Sequence, residues 1–151
     1  MSNPYALFEV NEKVENEEGR WAEYPNKDKK HSFKVRFVYS GDSNVSYRDA
    51  LRARLKPLNY RIQQEMVSDE EFEAIQQKVF ADKIIKSWMV LNEEGKWVEG
   101  MYGDNFSIIE FNKENVINVF QNAPRLFKDI KKQSDSFATF KEEEFQTDSK
   151  N

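Results

Sequence analysis

Cysteine is absent from the 151 residues of this chain, and histidine occurs only once, at His31. Disulfide bonds, thiolate nucleophiles and thiolate metal sites are therefore excluded, and a zinc site would need mostly carboxylate ligands, which is uncommon. The five glycines are scattered and form neither a P-loop nor a dinucleotide-binding motif. Because no Ser–His–acid arrangement is favoured either, the sequence predicts a protein that is not an enzyme and needs no metal or cofactor.

Long apolar runs are also missing. No stretch approaches the roughly 18 apolar residues that a membrane-spanning helix requires. The first ten residues lack the basic segment and apolar run that mark a signal peptide. We therefore expect a protein of a reducing, cytoplasmic compartment.

Aromatic residues and charges are abundant. Aromatic residues make up 14% of the chain, which is enough to build a compact core in one domain although 33% of the residues are charged. The charges form blocks: residues 1–19 carry −4, residues 20–61 carry +7 and residues 62–151 carry −7. This pattern fits either a basic face that attracts an acidic partner or a subdomain whose surface is simply solvated by lysine and arginine.

Residues 17–40 are predicted to form a small antiparallel sheet. Trp21 and Tyr24 suit a short strand, and residues 33–39 largely alternate between apolar and basic side chains, which is typical of a half-buried strand. The rest of the chain has mainly helical spacing. We therefore predict an α+β, helix-dominated single domain over residues 1–145, with its small sheet near the N-terminus and a flexible tail at 146–151.

The first predicted helix begins near Ser46, which is expected to cap it, and ends near Pro57. One face is apolar and carries Tyr47, Leu51, Leu55 and Leu58. A basic stripe with four-residue spacing runs beside it and consists of Arg48, Arg52 and Lys56.

Three further helices are predicted. Ser68 caps a long helix that extends to about Met89, and Asn92–Gly95 then turns the chain. Asn112 caps the next helix, and Pro124 opens the last one. The sparse apolar face of that last helix contains Phe127, Ile130, Phe137 and Phe140.

Residues 16–23 and 92–99 have nearly the same sequence, Asn-Glu-Glu-Gly-Arg-Trp-Ala-Glu and Asn-Glu-Glu-Gly-Lys-Trp-Val-Glu. The flanking residues do not match. We interpret the similarity as two turns of the same chemistry that lead into short strands, and not as a duplicated module.

Nucleic-acid binding is one functional hypothesis. Residues 20–61 interleave basic side chains with aromatic ones, as a phosphate-binding face with stacking rings does: Lys34, Arg36, Arg48, Arg52, Arg54, Lys56 and Arg61 alternate with Phe33, Phe37, Tyr39, Tyr47 and Tyr60. However, these aromatic residues occupy positions that suit a core, and the pI of about 5.2 is acidic.

The order of short segments resembles the tail assembly chaperones of long-tailed bacteriophages over nearly the whole chain. The segments that carry this resemblance are Tyr-Ala-Leu-Phe-Glu-Val at 5–10, Gly-Arg-Trp at 19–21, Phe-Lys-Val-Arg-Phe at 33–37, Leu-Lys-Pro-Leu at 55–58, Ile-Ile-Lys-Ser-Trp at 84–88, residues 106–114, Pro-Arg-Leu-Phe-Lys-Asp-Ile at 124–130, and the closing residues 140–151. No unique catalytic motif is among them.

The resemblance implies a protein of the host cell cytoplasm that binds the tape measure protein and helps recruit tail tube protein subunits, and that is absent from the finished virion. Candidate partner-binding residues are Arg48, Arg52, Lys56, Phe137 and Phe140. A structural tail component is a further alternative, since it would share the phage context but would remain in the virion.

The C-terminus is compatible with a programmed frameshift, which the resemblance implies for proteins of this kind. Ser149-Lys150-Asn151 can be encoded by a slippery heptamer, so we predict that Lys150 and Asn151 mark the slip site and that this chain is the short product. A longer, frameshifted form would then be a further partner.

Overall fold

The structure is a computed structural model that describes residues 4–26 and 30–141. Five α-helices and six strands occur in this part of the chain. The helices are α1 Val45–Leu55, α2 Asn59–Gln63, α3 Asp69–Val79, α4 Lys113–Asn122 and α5 Pro124–Ser134. The strands are β1 Arg20–Tyr24, β2 Phe33–Phe37, β3 Ile85–Leu91, β4 Trp97–Glu99, β5 Met101–Tyr102 and β6 Ile108–Ile109.

The main sheet has four antiparallel strands in the order β1-β2-β3-β4. Its first hairpin, β1–β2, is the one predicted from residues 17–40. β3 and β4 complete it, joined by the predicted turn at Asn92–Gly95, in which the Gly95 amide donates to the Asn92 carbonyl (3.0 Å). The α+β fold class, with helices dominant and a small antiparallel sheet near the N-terminus, is confirmed.

The long helix predicted to reach Met89 is wrong. α3 ends at Val79, a π-helical turn follows at Phe80–Ile84, and the chain continues as β3. The apolar residues of this segment have helical spacing, but Ile85–Leu91 pairs with β2 on one side and with β4 on the other. This pairing provides hydrogen-bond partners for the backbone of the segment. Trp88, which falls within that predicted helix, is instead a buried strand residue.

Side-chain caps define the helix starts. Ser68 Oγ accepts from the Glu71 amide at 3.1 Å, and Asn112 Oδ1 accepts from the Asn115 amide at 2.8 Å, which confirms both predicted caps. The predicted Ser46 cap is wrong, because Asn44 caps α1. Asn44 Oδ1 accepts from the Tyr47 amide (3.0 Å) while its Nδ2 donates to the Tyr39 carbonyl (2.7 Å).

The core lies between the inner face of the sheet and the helices. Phe80 is at its centre, with the rings of Tyr47 and Phe127 in edge-to-face contact at centroid distances of 5.4 and 5.2 Å. The other large, fully buried side chains are Trp88, Phe37, Phe140, Ile84, Ile130, Val38, Val79, Val90 and Val116. All of these except Val90 belong to one contiguous apolar cluster, which joins strand and helix residues.

The last predicted helix is shorter than expected. α5 ends at Ser134, and Phe137 and Phe140 lie in a separate 3₁₀ turn. Ser134 is fully buried because it links two elements: its Oγ donates to the Val38 carbonyl at 2.8 Å, and its own carbonyl accepts from the Ser40 amide at 3.0 Å. These bonds fix the C-terminal end of α5 against the segment that follows β2.

Tyr47 supports a prediction about alkaline stability. Burial, and secondarily the Asp135 carboxylate, raises the pKa of Tyr47 to about 12 from its ordinary value of 10.0. The contribution of this group to stability is complete below pH 10 and is lost as pH rises through 12, because the unfolded chain then releases the proton first. In Tyr47→Phe, the decrease in urea midpoint between pH 9 and pH 11 should be smaller than in the wild type. The exposed Tyr60→Phe is the control, and an equal decrease in Tyr47→Phe would contradict the prediction.

Candidate interaction surfaces

An apolar groove lies where the N-terminal segment meets the 3₁₀ turn after α5. We define the apolar groove by Phe8, Val10, Tyr39 and Phe137, with carboxylates at Glu15 and Asp42. Its volume is about 230 Å³. The rings of Phe8 and Phe137 contact each other at a centroid distance of 5.5 Å, yet Phe8 is 65% and Phe137 is 37% exposed. Two aromatic rings are thus held together in solvent, which is unusual for a surface without a partner.

Hydrogen bonds make the floor of the apolar groove rigid. The buried Glu15 carboxylate accepts from the Asn11 amide at 2.6 Å and from Ser43 Oγ at 3.1 Å. The Glu15 carbonyl accepts from the Tyr39 amide at 2.6 Å. Burial and the nearby Asp42 carboxylate raise the pKa of Tyr39, because both disfavour the phenolate.

The surroundings of the groove are acidic. Residues 8–18 contain five acids, Glu9, Glu12, Glu15, Glu17 and Glu18, and one base, Lys13, for a net charge of −4. Asp42 adds a further carboxylate to the lining of the groove. An apolar segment that also carries lysine or arginine would therefore match this surface in both chemistry and charge.

The two predicted phenylalanines have different positions. Phe137 is part of the groove, whereas Phe140 is only 1% exposed and contacts the rings of Phe37 and Tyr39 at 5.9 and 5.5 Å. They are the first and the last residue of the 3₁₀ turn, and only the last one packs into the core. Phe140 is therefore a core residue, and its assignment to partner binding does not fit the structure.

A second exposed surface follows the groove in sequence. We define the basic arm as residues 45–66, which comprise α1, a 3₁₀ turn at Lys56–Leu58, and α2. It contains five bases and two acids, for a net charge of +3. The predicted residues Arg48, Arg52 and Lys56 are all exposed along it. The structure thus places these three side chains on one solvent-facing surface.

Most of the charge on the basic arm is not neutralised within the molecule. Arg52 lies 3.9 Å from Asp49, an exposed pair that contributes little. Within residues 4–26 and 30–141, none of the salt bridges involves Arg48, Arg54 or Lys56. These cations remain available to an acidic partner.

The far end of the basic arm is apolar and ordered. Tyr60 is 72% and Met66 is 61% exposed, and Ile62 lies between them. Arg61 holds this end against α3, because its guanidinium lies 3.1 Å from the Glu71 carboxylate and also donates to the Met66 carbonyl at 3.3 Å. This half-exposed ion pair and the hydrogen bond link the far end of the arm to α3.

The outer face of the sheet is a third surface. Trp21 on the edge strand β1 and Trp97 on the edge strand β4 both lie against the Lys34 ammonium, at 4.7 and 4.5 Å from the ring centroids. These tryptophans occupy equivalent places in the two similar segments, 16–23 and 92–99. The repeated turn-and-strand sequence therefore forms the two opposite edges of one sheet.

The nucleic-acid face predicted from residues 20–61 is divided by the fold. Lys34 and Arg36 belong to the outer sheet face, whereas Arg48, Arg52 and Lys56 belong to the basic arm. Three of its predicted stacking residues, Phe37, Tyr39 and Tyr47, are buried. They are not accessible to bases, so the structure does not bring the predicted phosphate contacts and stacking rings together.

Sequence reasoning missed Phe8, Val10 and Met66, and it named Tyr60 only as a stacking residue of the nucleic-acid hypothesis. These residues are apolar but do not follow the spacing of a core-facing helix or strand, and that mismatch was the available signal.

The predicted frameshift residues Lys150 and Asn151, and the predicted tail at 146–151, lie outside the described residues. In the described part of the chain, no helix is long and apolar enough to cross a membrane, and no three His, Cys, Asp or Glu side chains are grouped as metal ligands.

The fold and these surfaces define a small α+β protein with an open, acidic-rimmed apolar groove and a basic helical arm. Residues 42–151 match the family described as YdaY prophage protein, and this match covers more than half of the chain. The chain belongs to the YdaY prophage protein family and is a phage-associated protein. No curated protein and no solved structure matches it.

Proposed function

We propose that this protein is a non-enzymatic tail assembly chaperone that binds the tape measure protein in the host cytoplasm. Its other partners would be tail tube subunits and its own longer, frameshifted form. Membership of a prophage protein family supports a function in a bacteriophage. The resemblance of the segment order to tail assembly chaperones supports the chaperone role. The observation that carries the proposal is the apolar groove, where Phe8 and Phe137 form an exposed aromatic pair beside carboxylates.

The groove suits an amphipathic helix of the partner. One apolar side chain of such a helix would enter between Phe8, Val10 and Phe137, because burial of these exposed rings is favourable. Lysine or arginine on the flanks of the helix would lie near Asp42 and the acidic N-terminal residues. A long helical protein with exposed apolar residues is the kind of client whose aggregation such contacts prevent.

Co-expression tests this proposal. The wild-type chain should keep a tape measure fragment soluble, and Phe8→Ser should reduce the soluble fraction about tenfold, since it removes roughly 1–2 kcal/mol of apolar contact per copy. Ile108→Ser is the matched control, because Ile108 is also exposed, at 54%, but lies outside the groove and the arm. A fragment that stays insoluble with the wild-type chain at every ratio would refute the proposal.

Mass spectrometry of purified virions separates the chaperone from a structural tail component. The chaperone hypothesis requires that the chain be missing from finished particles. A stoichiometric amount of it in virions would replace the proposal with the structural alternative.

A further inference from the structure

The outer sheet face and the turn beside it carry four cations that the proposed function does not use. Lys34 and Arg36 belong to β2, Lys86 belongs to β3, and Lys83 lies in the π-helical turn that leads into β3. Among the salt bridges of residues 4–26 and 30–141, none involves any of these four side chains. Their charge is therefore available to an anion.

A β-bulge brings Lys86 to this surface. In the register of β2 and β3, Arg36 lies opposite Ser87, and the next residue, Phe37, lies opposite Ile85. Lys86 is therefore an extra residue on β3. In a regular strand its side chain would point to the inner face, but the bulge leaves it half-buried next to Arg36.

Arg36, Lys83 and Lys86 form what we call the cationic cluster. Burial lowers the pKa of Lys86, and the charges of Arg36 and Lys83 lower it further. Asp82 acts in the opposite direction, but its carboxylate lies 3.6 Å from the Lys113 ammonium. The three cations of the cluster repel one another, so a bound anion would relieve this repulsion.

Two tryptophans accompany the cationic cluster on the outer sheet face. Trp21 lies directly opposite Arg36 in the register of β1 and β2, and it is 38% exposed. The Arg36 guanidinium is held in place because its Nη1 donates to two backbone carbonyls just before β1, at 3.3 and 3.0 Å. Trp97, on the opposite edge of the sheet, is half-buried, and the Lys34 ammonium contacts both rings. Rings and cations thus share one face.

We infer that the outer sheet face binds single-stranded nucleic acid, with phosphates at the cationic cluster and bases against Trp21 and Trp97. An unpaired strand suits this surface because each of its bases has a face that can stack and each of its phosphates carries a negative charge. An acidic protein segment would use the cations but would leave the tryptophans without flat partners. The face differs from the one predicted from residues 20–61, three of whose stacking rings are buried. The inference goes beyond the proposed function and does not rest on it.

The attraction of this face for a polyanion is local, because the chain as a whole carries a net charge of −4. Glu23 and Glu99 are exposed on β1 and β4, and they reduce the charge of the four cations without cancelling it. Charges further away are screened, since the Debye length is about 10 Å at 0.1 M salt. Binding should therefore weaken steeply as salt is added.

Fluorescence anisotropy of short, labelled oligo(dT) and oligo(U) tests the inference with the full chain. At low salt the wild type should bind at least one of these single strands, and the stronger of the two shows whether DNA or RNA is preferred. A duplex of the same length should bind more weakly, because its bases are already stacked on one another. Binding of the unlabelled single strand should also quench the tryptophan fluorescence of the protein.

Two sets of variants separate the phosphate contacts from the stacking contacts. Lys83→Gln combined with Lys86→Gln should lower the slope of log affinity against log salt by about 1.4, since each phosphate contact to a single strand contributes about 0.7. Trp21→Leu should weaken binding roughly fivefold or more and leave this slope unchanged. Arg52→Gln combined with Lys56→Gln removes the same charge from the basic arm, and this matched control should bind with the wild-type slope.

Three results would overturn the inference. The first is a wild type that binds neither single strand at low salt. The second is an equal loss of affinity in the cluster variant and in the arm control, which would show that net charge alone attracts the strand. The third is tighter binding of a polyglutamate peptide than of either oligonucleotide, which would assign the face to an acidic protein segment. Circular dichroism checks that each variant is folded, and Trp97→Leu replaces Trp21→Leu if the latter does not fold.

Discussion

Gly19→Ala should destabilise the protein by about 3 kcal/mol, whereas the same change at Gly95 should cost about 1 kcal/mol. Both glycines have positive φ, 68° and 78°, and both follow Asn-Glu-Glu in the two similar segments. Alanine is strained at either position for that reason. Only their surroundings differ.

The surroundings of Gly19 leave no space for a methyl group. A Cβ there would overlap the Phe37 carbonyl oxygen and lie 2.8 Å from its carbon, whereas a Cβ at Gly95 would have no neighbour within 4 Å. Phe37 is a fully buried strand residue, so its backbone cannot move without disturbing the core. Urea denaturation measures the loss of unfolding free energy in each of the two variants. Equal losses would show that Gly19 does not lie as close to the Phe37 carbonyl as described.

Phe80→Ala should lower the unfolding free energy by about 3–5 kcal/mol, because it opens a cavity at the centre of the core. Phe80 is fully buried and is the only ring of the described residues that contacts both Tyr47 and Phe127 edge to face. Its loss therefore separates α1 from α5 as well as removing apolar contact. For a chain of this size the melting temperature should fall by roughly 10 °C or more.

Tyr60→Ala is the matched control for Phe80→Ala. Tyr60 is a large aromatic residue that is mostly exposed, so its removal should change the unfolding free energy by no more than about 0.5 kcal/mol. If Phe80→Ala lowers the unfolding free energy only slightly, the neighbouring rings must move in and fill the cavity.

Local signals in the sequence predicted the parts of the fold that depend on local chemistry. Ser68 and Asn112 cap helices because their side chains reach an amide three residues later, and such caps need no distant partner. The β1–β2 hairpin was also predictable, because alternating apolar and basic side chains indicate a strand with one buried face. The second half of the sheet was not, because Ile85–Leu91 has spacing that suits a helix and becomes a strand only through its pairing with β2 and β4.

The candidate site was predictable only in part, for a similar reason. The stripe of Arg48, Arg52 and Lys56 is a local pattern, and the structure keeps it on one exposed surface. The groove instead joins Phe8 and Phe137, which are far apart in the sequence. No periodicity relates two such positions, so only the folded chain shows that they meet, and that Phe140 does not join them.

Asn44 connects the two surfaces through a single side chain. It donates to the carbonyl of Tyr39, on the wall of the groove, and accepts from the amide of Tyr47, in the first turn of the arm. Because the side chain is buried, the direction of α1 is fixed relative to the groove. A partner that contacted both the groove and the first turns of α1 would therefore meet these two surfaces at one fixed angle.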